Sequence, residues 1–222
     1  MIGQKLKYLF LILYLPLFAQ QDINQYDQDG RRQGEWKVNF EGTSQTKFEG
    51  QFEHGKEKGE FKFYKKGVDK FPTAIMQFKE DSPLVAVTYY TQNGHPISEG
   101  HMLNKQREGL WVYYHKNSPD TMMTEHYKGG QLRGEQLTYF PNGQLAEKSY
   151  YENGQKDGES FIYTEKGQLL RHLNYTNGEL DGPAQYYNNK GEKVIEGQYV
   201  DDQKKGTWKY YENGELKEKK EY

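Results

Sequence analysis

The 222-residue sequence contains no cysteine. That excludes disulfides, thiol nucleophiles, cysteine-ligated zinc and a lipid-bearing N-terminal cysteine. It also lacks a basic excess, with 30 Lys and Arg against 32 Asp and Glu and a net charge of −2, so nucleic acid is not an expected partner. Large apolar side chains are scarce. Leu, Ile, Val and Phe together number only 32 beyond residue 19, too few to fill a conventional three-dimensional core. A mean hydropathy of −1.11 excludes a polytopic membrane protein. Beyond the first nineteen residues no stretch sustains an apolar period of 3.6, so helices are not expected.

The one apolar run lies at the start. Lys5 and Lys7 precede an apolar stretch from Tyr8 to Leu17, and Ala19 is a small residue at a plausible cleavage point. This is the grammar of a secretory signal. The run is about ten residues, where roughly 20 are needed to span a bilayer as a helix. The segment is either removed on export or kept as a single anchor. The expected address is therefore periplasmic, cell-surface or secreted, with little membrane contact beyond the signal. Residues 1–19 read as signal, 20–28 as a short linker, and 29–222 as one domain.

That domain is periodic. Glycines 34, 59, 109, 134, 158, 182 and 206 recur every 24 or 25 residues, and one gap of 50 fits a further unit with Val85 in the glycine's place. Taking each as an anchor, position +5 reads Asn39, Tyr64, Tyr90, Tyr114, Tyr139, Tyr163, Tyr187 and Tyr211. A second glycine column follows at +8 or +9 and a third precedes at −4. The three columns hold nineteen of the 24 glycines, which marks glycine as backbone punctuation. Between these marks lie short alternating runs such as Trp36-Lys37-Val38 and Trp208-Lys209-Tyr210, the signature of strands. Asn-Gly pairs such as Asn153-Gly154 favour tight turns. The expected fold is all-β, with about eight tandem β-hairpins forming an elongated, twisted single-layer antiparallel sheet and an irregular unit at about 67–90. Isolated hairpins are marginal, so units must pair edge to edge, and the tyrosine column is expected to form the ladder that replaces a core. In Trp36 and Trp208 units the apolar set sits at +2 and +4, but at +3 and +5 in Leu137/Tyr139 and Phe161/Tyr163. The better-buried face is therefore expected to change along the ribbon.

The segment from Phe48 to Phe61 (FEGQFEHGKEKGEF) resembles MORN repeats, and so does Ile195 to Trp208. The segments beginning at Tyr150 (YYENGQKDGE) and Tyr210 (YYENGELKE) are similar to the bacterial MORN-variant group, whose members are often labelled YwqK-like antitoxins. The resemblance covers roughly Asp29 to Tyr222 and departs at Gly67 to Tyr89 and at Asn117-Ser118-Pro119. It implies stacked hairpins that act as a protein-binding, dimerising or membrane-proximal scaffold, and it implies no reaction.

The residues themselves offer little chemistry. Gly50 to Lys56 has the spacing of a phosphate loop but continues into Glu57, with a strand on either side and no helix following, which reads as a hairpin reversal. The six histidines show no metal-ligand spacing. No nucleophile elbow occurs, and the carboxylates recur with the turns as a solvated rim. No catalytic residue, cofactor or metal is expected. The partner-binding candidates are Tyr64, Tyr90, Tyr114, Tyr139, Tyr163, Tyr187 and Tyr211, together with Phe71, Ile75, Met76 and Phe78 of the irregular unit. The expected function is that of an exported non-catalytic scaffold for another protein. The alternatives are an antitoxin or immunity role, and cell-wall or glycan binding through an aromatic face.

Overall fold

A computed structural model describes residues 22–68 and 70–222. The expected signal segment lies outside them. Within them the chain is an antiparallel meander in which successive strands pair, except that β10 and β11 both pair with β9 and β15 and β16 both pair with β14. The first half comprises β1 (Gln25–Tyr26), β2 (Arg32–Asn39), β3 (Thr46–Glu53), β4 (Lys56–Phe63), β5 (Ala74–Phe78), β6 (Leu84–Tyr90), β7 (Pro96–Leu103), β8 (Gln106–Tyr114) and β9 (Thr121–Lys128). The second comprises β10 (Gln131–Leu132), β11 (Gly134–Tyr139), β12 (Leu145–Glu152), β13 (Gln155–Tyr163), β14 (Leu169–Thr176), β15 (Glu179–Leu180), β16 (Gly182–Tyr187), β17 (Lys193–Val200), β18 (Gln203–Glu212) and β19 (Glu215–Glu221).

The single layer of hairpins is as expected, but there are 19 strands where about sixteen were expected. Two of the additions are splits. Arg133 N–H donates to His126 and Asp181 N–H to Asn174, which takes one residue out of the ladder before Gly134 and Gly182. The third is β1, inside the stretch expected as a linker. It pairs with β2 and sets the Tyr26 ring edge-on to Trp36 at 5.1 Å.

The two glycine-marked edges have different chemistry. Along one edge, pairs such as Asn153-Gly154, Asn177-Gly178 and even Asn104-Lys105 and Asp201-Asp202 have positive φ at both residues, the two-residue turn that matches strand twist. These turns also join neighbouring units. The N–H groups of Gly55, Gly130, Gly154, Gly178 and Asp202 each donate to the carbonyl of the residue at −2 in the preceding unit. Most turns along the other edge are longer, as where Phe140 and Gln144 close over Asn142-Gly143. Val85 fills the vacant anchor in extended conformation, and β5 and β6 pair without any register shift there.

At Gly59, Gly109, Gly158 and Gly206 the anchor glycine opens a bulge. Glu108 pairs with His101 and Val112 with Glu99, so residues 109–111 of β8 face the single residue Gly100 of β7. The same three-against-one arrangement sets 59–61 against Gly50 and 206–208 against Gly197. Such a bulge bends its strand and re-aims a side chain. Here it lays the ring at +2 flat over a glycine, and a Cβ at Gly50, Gly100 or Gly197 would come within 2.5, 2.5 or 2.2 Å of Phe61, Trp111 or Trp208.

This +2 column, on what we call the indole face, is the true core. Trp111 and Trp208 are 0% exposed, although the sheet has one layer. Each indole is covered by a cation from position −2. The guanidinium of Arg32 lies 4.8 Å from Trp36 and that of Arg107 lies 4.6 Å from Trp111, while Lys204 lies 4.3 Å from Trp208. Such cation–π contacts are worth about 0.5–2 kcal/mol, more when desolvated. The indole N–H groups of Trp111 and Trp208 donate to the carbonyls of His101 and Gln198. Trp36, Phe52 and Phe61 form one apolar cluster, and Leu173, Ala184 and Trp208 form another. Between Trp111 and the second cluster the indole face is polar but satisfied. Glu125 accepts from Tyr127 and Gln136, and Ser149 meets Ser160 at 2.9 Å beside the Lys156–Glu147 pair.

Candidate functional site

The expected tyrosine ladder requires correction. All seven tyrosines at +5 lie on the face opposite the indoles, half-buried near the longer turns, and none belongs to an aromatic pair among the described residues. The cohesive rings sit instead at +2, at +4 (Tyr89, Tyr186) and at −7 (Tyr127, Tyr199), packed around Trp111 and Trp208. The reason is parity. Within the strand that follows the anchor, an odd offset places a side chain on one face of the pleat and an even offset on the other, and the bulges tip the even face inward.

Of the +5 phenols, Tyr64, Tyr187 and Tyr211 are tied down by their hydroxyls. Tyr64 donates to Glu49 at 2.8 Å and Tyr211 to Glu196 at 2.6 Å, two residues at the same repeat position, while Tyr187 donates to Gln185. Burial, and then Glu49, push the Tyr64 phenol up to about 12. Burial and Glu99 do the same to Tyr114. Glu196 is held at about 2, because Lys193 and Tyr211 hydrogen-bond to it and Lys209 adds a third donor. Tyr64, Tyr187 and Tyr211 thus each present an immobilised ring edge.

The candidates of the irregular unit divide between the faces. Met76 and Phe78 pack against the Trp36–Phe52–Phe61 cluster on the indole face. Ile75 pairs with Lys62 and Thr88 on the opposite face. Phe71 closes over Gly94, where a Cβ would come within 2.9 Å of its ring. The phosphate-like Gly50 to Lys56 stretch is the β3–β4 reversal, with Gly50 beneath Phe61 and Gly55 in the turn. Among the histidines, His172 stacks on Phe161 at 4.4 Å and contacts Glu159, and His54 contacts Asp27.

One row on the opposite face was not anticipated. Direct cross-strand partners link Lys37, Glu49 and Lys62 at one end. They continue through Ile75, Thr88, Glu99, Val112, Thr124, Leu137, Lys148 and Phe161. They finish with His172, Gln185, Glu196, Lys209 and Lys219. The row is charged at both ends and mainly apolar or uncharged in the middle, the reverse of the indole face. Leu110 and Ile97 flank the centre, 47% and 45% exposed. The expected change of the better-buried face does not occur: the indole face stays the more buried throughout, and what changes along the ribbon is the polarity of each face. Open depressions of about 480, 350 and 540 Å³ lie along this face behind Gly50, Gly100 and Gly197. The signal that could have located the row is the pair of strand positions +3 and −10, read together across units.

The model of the family described as MORN repeat variant matches residues 132–153, 156–177 and 204–222. No curated protein matches the chain. Among solved structures, a crystal structure of a protein with unknown function from Bacteroides fragilis is similar at 8% identity over 77% of this chain and 95% of that one. Its TM-score of 0.14 gives that likeness no weight for fold or function. The first two matched segments fall on neighbouring units and the third on the β18–β19 hairpin, and antiparallel hairpins of the same kind run upstream to β2: residues 132–222 carry three MORN-variant repeats.

Proposed function

We propose that the protein is an exported, non-catalytic scaffold that holds another protein at the cell envelope or outside the cell. One observation carries this reading. A single layer has two faces, and here the second face keeps Leu110 and Ile97 about half exposed beside a column of half-buried tyrosines. Exposed apolar side chains gathered with tyrosines on one face suit recognition, because rigid amphipathic tyrosines are enriched in recognition surfaces. The Lys5, Lys7 and Tyr8–Leu17 grammar supports export. MORN repeats support a scaffold role.

The test is fractionation of cells that express the full reading frame, followed by cross-linking in the envelope fraction. The expected result is accumulation outside the cytosol and a cross-linked protein partner that is lost in the Tyr139→Ala/Tyr163→Ala variant. Retention in the cytosol would refute the export reading. Cross-linking unaffected by the tyrosine variant would refute the assignment of the face.

A further inference from the structure

We propose that Tyr210 and Tyr222 form an oxidative coupling site, at which a peroxide, acting through a peroxidase, joins the two rings into a dityrosine within one chain. Both rings pack beside Trp208 on the indole face, away from the surface assigned above to a partner. Three pairs of tyrosines bring their hydroxyl oxygens together among the described residues. Tyr113 meets Tyr127 at 3.3 Å, Tyr186 meets Tyr199 at 3.2 Å, and Tyr210 meets Tyr222 at 3.0 Å. Such a contact draws together the ring carbons ortho to the hydroxyls, and those carbons carry much of the unpaired spin of a phenoxyl radical. Geometry nominates three pairs, and their surroundings select one.

The first two pairs are shielded. Arg107 Nη1 donates to Tyr113 and Tyr127 at 2.7 and 2.8 Å, and its guanidinium lies over both rings. Burial raises the pKa of Tyr113, Tyr127 and Tyr186, so these phenols hold their protons more tightly than exposed ones. The third pair is open. Tyr222 is 50% exposed. Lys204 Nζ donates to the Tyr210 oxygen at 3.3 Å and lies 4.8 Å from the Tyr222 ring, while Lys220 lies 5.3 Å from the Tyr210 ring. The Tyr222 hydroxyl, and then these lysines, hold the Tyr210 phenol below its ordinary value. Oxidising a phenol to its radical also removes its proton, so the exposed pair with the looser proton reacts first.

The step balances. Each phenol gives up one electron and its hydroxyl proton. A carbon–carbon bond forms between the two ortho carbons, and the hydrogen on each carbon leaves as a proton that restores the phenol. The peroxide O–O bond breaks, takes up the two electrons and two protons, and yields two waters. The product is a covalent staple in a chain that has no cysteine to make one. It closes residues 210–222 into a loop and ties down β19, every residue of which is exposed. Tyr222 already exchanges backbone hydrogen bonds with Gly206 and sets its ring edge-on to Trp208 at 6.2 Å, so the bond also fixes the cover over that indole.

The test treats the full chain, diluted to suppress coupling between molecules, with hydrogen peroxide and a haem peroxidase. Mass spectrometry of a complete tryptic digest should find peptide 210–217 joined to 221–222 with two hydrogens missing, from protein that fluoresces as dityrosine at the mass of one chain. Tyr222→Phe should abolish the link, whereas Tyr113→Phe and Tyr199→Phe should leave it intact. Each of these changes keeps the ring and removes only a hydroxyl, and circular dichroism checks that the fold persists. In the native, coupled chain, trypsin should cut at Lys217, Lys219 and Lys220 about tenfold more slowly than in the untreated one, because the strand must open to be cut. Fluorescence that survives Tyr222→Phe, coupling only between chains, or no dityrosine at all would overturn the site. Unchanged cleavage of β19 would overturn the staple.

Discussion

The sharpest mechanical consequence of the fold concerns Gly197. Its backbone is ordinary, without positive φ, so alanine meets no conformational objection there. The objection is Trp208, whose ring atoms would lie 2.2–2.6 Å from the new Cβ, where ordinary contact is 3.4–4 Å. The ring must therefore retreat by more than 1 Å. It is held by its N–H bond to the Gln198 carbonyl, by Lys204 above it, and by edge contacts with Tyr199 and Tyr222. Overpacking costs about 1–3 kcal/mol, and weakening the hydrogen bond and the cation contact adds about 1 kcal/mol. Gly197→Ala should thus cost about 3 kcal/mol in urea denaturation followed by circular dichroism. Gly206→Ala supplies the comparison. Its Cβ would meet open space, but φ is +65°, so it should cost about 1 kcal/mol. The chain also contains the reverse solution, because Leu173 and Ala184 occupy the same two repeat positions with the sizes exchanged. Gly197→Leu/Trp208→Ala copies that pair. It should be less destabilised than the sum of its single variants by about 2 kcal/mol. If Gly197→Ala proves milder than Gly206→Ala, or if the double variant is simply additive, the ring-on-glycine reasoning fails.

Other measurements probe the polar groups. Glu196 has a depressed folded pKa, so its contribution is complete above the unfolded carboxylate range near 4. It is lost as pH falls towards about 2. After discounting for solvent screening this should appear as about 1 kcal/mol between those limits, absent in Glu196→Gln. In an absorbance titration Tyr64 and Tyr114 should ionise near 12, after the exposed phenols, and Glu49→Gln should bring Tyr64 earlier. Ser149→Ala and Ser160→Ala should each cost about 1 kcal/mol. The double variant should cost less than their sum, because it leaves neither buried hydroxyl without its partner. Thermal melts of the three chains would measure this.

Much of the architecture was legible because it is repeated. The anchor glycines, the paired turn residues and the strand alternation recur in nearly every unit, and each corresponds to a backbone requirement that few other residues meet. What escaped was encoded in fewer copies. Gly50, Gly100 and Gly197 fall outside the three obvious glycine columns, and their purpose appears only when each is read against the residue eleven positions later. The cations at −2 announce nothing until the register lays Arg32, Arg107 and Lys204 over indoles. The tyrosine column was visible and its role misread, because its offset counts five backbone steps from a bulge and so falls on the other side of the pleat from the rings at +2 and +4. The row on the opposite face escaped for a different reason: no unit contains it, and only pairing assembles it.

The separation of eleven residues between each ring and its glycine has a consequence for how such a chain changes length. Both members of the lock lie within one pair of strands joined by a two-residue turn, so excising or copying a 24-residue block carries key and keyhole together. Lineages could lengthen or shorten the ribbon one block at a time without redesigning what lies on either side of the splice.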